Sequence, residues 1–187
     1  MSRVRICCPN KGSIATETVQ WLMRAFVQLA PNVEVDMTPC TYPLQHARNA
    51  QREAFLTSRC THMFLLDSGK VPQEGTIQRL LAHDLSIVAA PHPTRKGDEV
   101  GLMVLDRAGS EYVQHWPLDG MQGPDVVVGC GGMLLRRDVV EAVGPWHCEY
   151  DAIGFLVRSE DFCFCDDAHR FGYEVWADCE LVQVHHD

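Results

Sequence analysis

The sequence lacks several features that would each point to a class of protein. None of its apolar runs approaches the roughly 20 residues that span a bilayer, and the start MSRVRICCPNKG has no long apolar stretch. Basic residues are scarce, with 16 Lys and Arg against 25 Asp and Glu, which disfavours a nonspecific grip on nucleic acid or on an anionic membrane. We therefore expect a cytoplasmic protein without a membrane span.

Linkers and paired metal-ligand spacings are also absent. No Pro/Gly/Ser-rich stretch or charge block divides the 187 residues, 46% of which are hydrophobic, so we expect one domain over 1–187. Nine cysteines are present, but without the C-x-x-C spacing typical of zinc sites. Most of them are expected to be small buried hydrophobes in a reducing compartment.

Strand-like and helix-like patterns alternate along the chain. The run VRICC is strand-like, and the apolar positions after it recur in steps of four and three, which predict an amphipathic helix. The same alternation continues and predicts an α/β fold, an open twisted Rossmann-type sheet that is mostly parallel and flanked by helices. Further strands are predicted at VEVDM, THMFLLD and SIVAAP, near 100–105 and 111–116, at VVV, and once or twice near the end. Further helices are predicted over 44–58 and 73–83, from 137 or 138, and over 160–171, and a loop is predicted over 117–125.

One predicted strand ends on a carboxylate. The continuous apolar run MFLL is typical of a strand buried on both faces, and Asp67 stands at its carboxyl end. Ligands of open α/β sheets bind beyond such strand ends. From position alone, two roles for Asp67 stay open, namely binding a ligand and capping the following turn.

Two further acids open the last predicted helix. Ser159 is a good N-cap, and Glu160 and Asp161 in the first turn complement the helix dipole, so capping alone could explain them. On a helix, however, Asp161 shares its face with Cys165 and would lean toward the body of the protein. That is where a general base would be held.

The remaining candidates are a glycine cluster and the last histidines. The cluster, whose members are Gly129, Gly131 and Gly132, permits close backbone approach but lacks dinucleotide-fingerprint spacing, which argues against a Rossmann dehydrogenase. His185 and His186 are adjacent strand residues, so at most one of them can point into a given site. A frayed tail is the alternative for both.

The chain resembles a small family 2-type glycosyltransferase with the GT-A fold, of a phage-like or bacterial kind. The resemblance is carried by VRICCPNKG, by ARNAQREAFLTSRCTHMFLLDSGKVPQEGTIQRLLAHDLSIVAAPHPTRKG, by VGCGGMLLRRDVVEAVGPW and by SEDFCFCDDAHRFGYEVWADCELVQVHH. It implies transfer of a sugar from a nucleotide-sugar donor to an acceptor hydroxyl, with inversion and assistance from a metal. It also implies a nucleotide-binding half over 1–98 and an acceptor and catalytic half over 99–187.

The resemblance also implies roles for individual residues. Asp67 corresponds to the first acid of the family's Asp-x-Asp motif, which holds Mn²⁺ or Mg²⁺ against the donor diphosphate, and His185, rather than His186, would complete the metal shell. Asp161, with Glu160 beside it, corresponds to the base. The residues implied to bind the nucleotide sugar are Pro9, Asn10, Arg48, Asn49, Asp67, Ser68, Lys70, Gly131 and Gly132.

The sequence departs from the family pattern at the second motif position, where Gly69 replaces an aspartate. Three interpretations stay open. Asp67 and His185 could hold the metal with water and phosphate oxygens, Lys70 could supply positive charge in its place, or the protein could bind nucleotide and turn over poorly.

Alternatives to a transferase also stay open, and Gly69 favours the first of them. One is a noncatalytic nucleotide-sugar or carbohydrate-binding domain, and another is an unrelated α/β enzyme such as a nucleotidyltransferase. For a transferase, the donor is expected to be UDP- or GDP-linked. The acceptor is left open between a glycan, a protein and a modified nucleobase, and another subunit could complete its site.

Overall fold

The computed structural model describes residues 2–39, 43–96, 99–108, 111–114 and 119–185. At 95, 96, 99, 100, 108, 111 and 185 only the backbone is described. The helices are α1 (Thr16–Leu29), α2 (Leu44–Thr57), α3 (Thr76–Ala82), α4 (Arg137–Ala142) and α5 (Glu160–Arg170). The strands are β1 (Val4–Cys7), β2 (Val33–Asp36), β3 (His62–Leu65), β4 (Lys70–Val71), β5 (Ile87–Ala89), β6 (Pro93–Lys96), β7 (Glu99–Leu102), β8 (Val104–Ala108), β9 (Glu111–Val113), β10 (Met121–Gln122), β11 (Val126–Val128), β12 (Met133–Arg136), β13 (Glu149–Tyr150), β14 (Leu156–Arg158), β15 (Trp176–Asp178) and β16 (Val184–His185).

A central sheet organises the described residues. Its seven strands have the order β10-β15-β5-β12-β3-β1-β2. The parallel pairs are β1 with β2, β1 with β3, and β5 with β15, whereas β12 is antiparallel to both of its neighbours and β10 to β15. All strands of this sheet except β12 and β10 therefore point the same way, as predicted for a mostly parallel α/β sheet.

Alternating side chains of the buried strands pack into apolar clusters on both faces of this sheet. Along β3 and just beyond it, Met63 and Leu65 point into one apolar cluster, and Phe64 and Leu66 point into the other. The first cluster also holds residues of α2, α4 and α5, and the second holds residues of α1 and α3. Helices thus cover both faces, which explains why the β3 run is continuously apolar.

Smaller sheets surround the central one among the described residues. β6 pairs with β7, β8 pairs with β9 and β11, β13 forms a hairpin with β14, and β16 pairs with β4. In the described part of the chain, every helix falls short of the length and apolarity that a bilayer span requires.

Several sequence-based boundaries need correction. The predicted loop over 117–125 contains β10, a two-residue strand whose partner β15 lies more than 50 residues away and leaves no local pattern. The antiparallel strand β12 and the β13–β14 hairpin were not predicted. Residues 115–118 of the predicted strand and loop lie outside the described residues.

Candidate active site

Asp67 lies just beyond β3, at the edge of the central sheet. Its side chain is 32% exposed, so a ligand can reach it. The backbone N–H of Lys70 donates to the Asp67 carbonyl oxygen at 3.0 Å, which closes a turn that leads into β4. A Cβ on Gly131 would overlap the Asp67 carboxylate, so a side chain there would displace that carboxylate from its present position.

Arg48, on α2, is a buried cation behind Asp67. Its side chain is 1% exposed, its Nη2 donates to Asp67 Oδ1 at 3.0 Å, and its Nε lies 3.4 Å from Glu160 Oε1. Burial acts to lower the pKa of Arg48, but the surrounding acids, Asp67 foremost, raise it overall. The guanidinium therefore stays charged and joins two carboxylates that are distant in the sequence.

The first turn of α5 presents two carboxylates in different environments. The Glu160 side chain is 11% exposed, and its pKa is raised, first by burial and then by the neighbouring Asp161, against the opposing effect of Arg48. Asp161 Oδ2 accepts a long hydrogen bond of 3.4 Å from the backbone N–H of Cys130. Ser159 is the N-cap residue but makes no side-chain capping bond, whereas both acids stand in the first turn, where they complement the helix dipole.

The glycine segment between β11 and β12 forms the wall that faces these acids. A Cβ on Gly129 would meet the ring of His92 and would lie 3.6 Å from Asp161 Oδ2. His92 follows β5 and was not singled out from the sequence. Its position beyond a buried strand, as for Asp67, was the signal that could have identified it.

Gln183 attaches the closing segment of the chain to the same wall. Its side chain is buried, and its Nε2 donates to the carbonyl oxygens of Ala90 and Gly131, both at 2.5 Å. Gly132 has φ +119°, and a Cβ there would overlap the Gln183 amide. Sequence analysis missed Gln183 because its partners are backbone oxygens of two remote segments, which leave no pattern.

The short strand β16 pairs with β4, which follows the turn after Asp67. Its register pairs His185 with Lys70 and Val184 with Val71. Lys70 is 7% exposed, and burial lowers its pKa, with Asp67 opposing that shift. Only the backbone of His185 is described, and His186 lies outside the described residues.

The predicted nucleotide loop follows β1 at the same sheet edge. Pro9 and Asn10 are buried, and Asn10 Nδ2 donates to the Met37 carbonyl oxygen at 2.8 Å. The Ser68 carbonyl oxygen accepts a bond of 3.0 Å from the backbone N–H of Ala15. These contacts fix the loop beside the turn that follows Asp67.

Asn49 binds the backbone of Trp146 instead of facing Asp67. Its Nδ2 donates to the Trp146 carbonyl oxygen and its Oδ1 accepts from the Trp146 N–H, both at 2.8 Å. Both polar atoms of the amide are thus engaged in holding the chain after α4 to α2. The structure shows no contact between Asn49 and Asp67 or the acids of α5 among its described hydrogen bonds.

Comparison with solved structures identifies the fold of this chain. No family model matches the chain, and no curated protein matches it. A197 from STIV superposes with a TM-score of 0.69 at 18% identity, over 99% of this chain and 86% of its own. S. aureus TarS 1-349 in complex with UDP superposes with a TM-score of 0.54 at 9% identity, over 97% of this chain and 59% of its own. The fold is GT-A-like.

The complex of the same TarS fragment with UDP-GlcNAc gives a TM-score of 0.53 at 10% identity, over 98% of this chain and 57% of its own. This chain thus spans less than two thirds of the TarS chain. At such identities the likeness concerns the GT-A-like fold, and membership of family 2 stays a prediction.

The described residues fit a divalent cation beside Asp67 only in part. Asp67 Oδ1 is already paired with Arg48, which leaves Oδ2 as the one carboxylate oxygen on offer at the motif, because Gly69 has no side chain. Magnesium can be held by one or two carboxylates together with substrate phosphates, so a single protein oxygen does not exclude the ion. Among the described residues, Arg48 and Lys70 bring positive charge to the surroundings of Asp67.

Proposed function

We propose that this protein transfers a sugar from a nucleotide-sugar donor to an acceptor hydroxyl, with inversion. The observation that carries the proposal is the convergence of Asp67, the glycine segment and Asp161 at one edge of a GT-A-like sheet. Ligands of open α/β sheets bind at this edge. A UDP-linked donor is the first choice, because the TarS structures of similar fold contain UDP and UDP-GlcNAc.

In this proposal the two acids of α5 have different roles. Asp161 takes the proton from the acceptor hydroxyl in this proposal, since its carboxylate faces the glycine wall, where the Cys130 N–H donates to it over a long 3.4 Å. Glu160 is held by Arg48 on α2, so it keeps the start of α5 in place beside Asp67. Two neighbouring carboxylates in unlike environments are a common basis for distinct roles.

Positive charge for the diphosphate comes from Lys70 and Arg48 in this proposal. Lys70 opens β4 close enough to Asp67 for that carboxylate to act on its pKa, and we propose that its ammonium contacts phosphate oxygens while Arg48 neutralises Asp67 from behind. A divalent ion, Mn²⁺ or Mg²⁺, held by Asp67 and His185 with phosphate oxygens, is proposed in addition. When bound, it would neutralise charge on the leaving diphosphate.

A thermal-shift series tests donor and metal together. UDP, GDP and their sugars are added with and without Mn²⁺, and whichever nucleotide raises the melting temperature is then tested for hydrolysis and transfer. We expect UDP to stabilise the protein, and UDP-sugar to be hydrolysed. Stabilisation that is the same after addition of EDTA would remove the metal from the proposal while leaving the donor in it.

A noncatalytic nucleotide-sugar or carbohydrate-binding domain is the second candidate. It is favoured by Gly69, because the loss of one acidic ligand weakens any metal site at the motif. The same series separates the two functions. Stabilisation by a nucleotide sugar without hydrolysis or transfer across a broad acceptor screen would establish the binding domain.

A further inference from the structure

A second cluster of metal-ligand side chains lies outside the candidate active site. His147, Glu149 and Cys163 each offer one ligand atom, and the three atoms lie within 4.8 Å of one another. Cys163 is buried, Glu149 is half-buried and His147 is exposed. The cluster is therefore anchored in the protein on one side and open to solvent on the other.

Chain geometry explains why these three side chains meet. His147 and Glu149 are two residues apart, with Glu149 at the start of β13, and their ligand atoms both lie within 4.8 Å of that of Cys163 on α5. Cys148, between them, points elsewhere, with its Sγ 3.4 Å from Gln45 Oε1 on α2. Cys163 projects from the first turns of α5 to complete the cluster.

Charged neighbours surround the cluster without closing it. Asp167 Oδ2 lies 3.6 Å from His147 Nδ1, and a carboxylate beside one ring nitrogen is a usual partner of a histidine whose other nitrogen binds a metal. Arg158 Nη1 lies 3.5 Å from Glu149 Oε2 but only 2.8 Å from Asp166 Oδ2. Because Asp166 is the closer partner of Arg158, Glu149 can turn toward an ion.

We propose that His147, Glu149 and Cys163 bind Zn²⁺, with water as the fourth ligand. A mixed nitrogen, oxygen and sulfur donor set suits this borderline-soft ion, whereas Mg²⁺ and Mn²⁺ prefer oxygen ligands. Zinc bonds of about 2.0 to 2.3 Å put tetrahedral ligand atoms about 3.5 Å apart, which small side-chain rotations reach from the present spacing. The ion would tie the segment before β13 to α5, two residues beyond Asp161.

Metal titration of the full chain tests this site. The metal-stripped protein is titrated with Zn²⁺ against a chromophoric chelator, and Co²⁺ is then used as a spectroscopic probe of the sulfur ligand. We expect one equivalent of Zn²⁺ to bind with submicromolar affinity and Co²⁺ to give a thiolate charge-transfer band. Cys163→Ser should abolish the band, and both Cys163→Ser and His147→Ala should weaken Zn²⁺ binding at least about tenfold.

Cys148→Ser is the matched control, because it removes a neighbouring thiol that lies outside the cluster. We expect it to bind Zn²⁺ like the wild type. Equal loss in Cys148→Ser, or unchanged binding in His147→Ala, whose exposed side chain can be removed without unfolding the protein, would overturn the proposal. Nucleotide binding, measured on the same variants, reports separately on the active-site proposal.

Discussion

At the scale of single residues, the buried charge of Arg48 holds the candidate site together. It joins Asp67 to Glu160 from a position that is 1% exposed. We predict that Arg48→Met lowers the free energy of unfolding by about 3 kcal/mol, because two carboxylates lose their shared cation. Urea unfolding measures the change.

The exposed Arg24 on α1 provides the matched control for that variant. Arg24→Met should change the free energy of unfolding by no more than about 0.5 kcal/mol. Similar losses of unfolding free energy in the two variants would show that the buried charge of Arg48 does not stabilise the site.

Lys70 allows a second test at this scale, through pH. Burial lowers its pKa from 10.5, so as pH rises toward that value Lys70 loses its charge earlier than an exposed lysine does. We predict that Lys70→Met binds UDP about tenfold more weakly near neutral pH, and that the difference from wild type shrinks as pH rises. Calorimetric titration at several pH values measures the UDP affinity of both proteins. Ionisation of the uracil base affects both proteins alike, so it cancels in the ratio of the two affinities. A ratio that stays constant with pH would exclude contact between Lys70 and the diphosphate.

Individual site residues were predictable where local sequence carries the signal. Asp67 ends an apolar strand and Asp161 shares a helix face with buried Cys165, and both lie where those patterns predicted, at a sheet edge and against the body of the protein. Gln183 and the pairing of Asn49 with Trp146 were not predictable. Their partners are backbone atoms brought close only by the tertiary fold.

At the scale of elements, Gln183 is one of the residues that attach the closing segment of the chain to the interior. Its amide donates to two carbonyl oxygens in the interior, while β16 adds two residue pairs with β4. We predict that Gln183→Met lowers the free energy of unfolding by about 1–3 kcal/mol, because Ala90 and Gly131 lose their buried donor. Chemical denaturation gives the value.

The control for this element is Gln78→Met, on the exposed side of α3. It makes the same chemical change where no described hydrogen bond is lost, so stability should stay within about 0.5 kcal/mol of wild type. If Gln183→Met is equally mild, the amide is not what holds the segment in place.

Helices were predicted more closely than short strands, for a physical reason. α1, α2 and α5 each carry apolar residues at helical spacing over 11 to 14 residues, a signal that one segment contains by itself. β10 and β13 have two residues each and form only because a partner strand is present. β12 was missed because its apolar run sits between glycines and a helix start.

At the scale of the whole molecule, the order of elements was predictable but the direction of β12 was not. Strand and helix alternation predicts a mostly parallel sheet, and the structure confirms it. The reversal at β12 places the glycine wall directly against the end of β3, since the N–H of Gly132 donates to the Leu65 carbonyl oxygen at 2.7 Å. The proposed donor site depends on this long-range pairing, which local sequence does not encode.

The proposed transfer depends most directly on the Asp161 carboxylate, so Asp161→Asn is the decisive variant. Sugar turnover and nucleotide affinity are measured on the same preparation, beside Asp167→Asn on the same helix as control. Nucleotide affinity should stay within about twofold, turnover should fall about 10²–10⁴-fold, and the control should keep its turnover. Turnover equal to that of the wild type in Asp161→Asn would contradict the proposal that this carboxylate is the base.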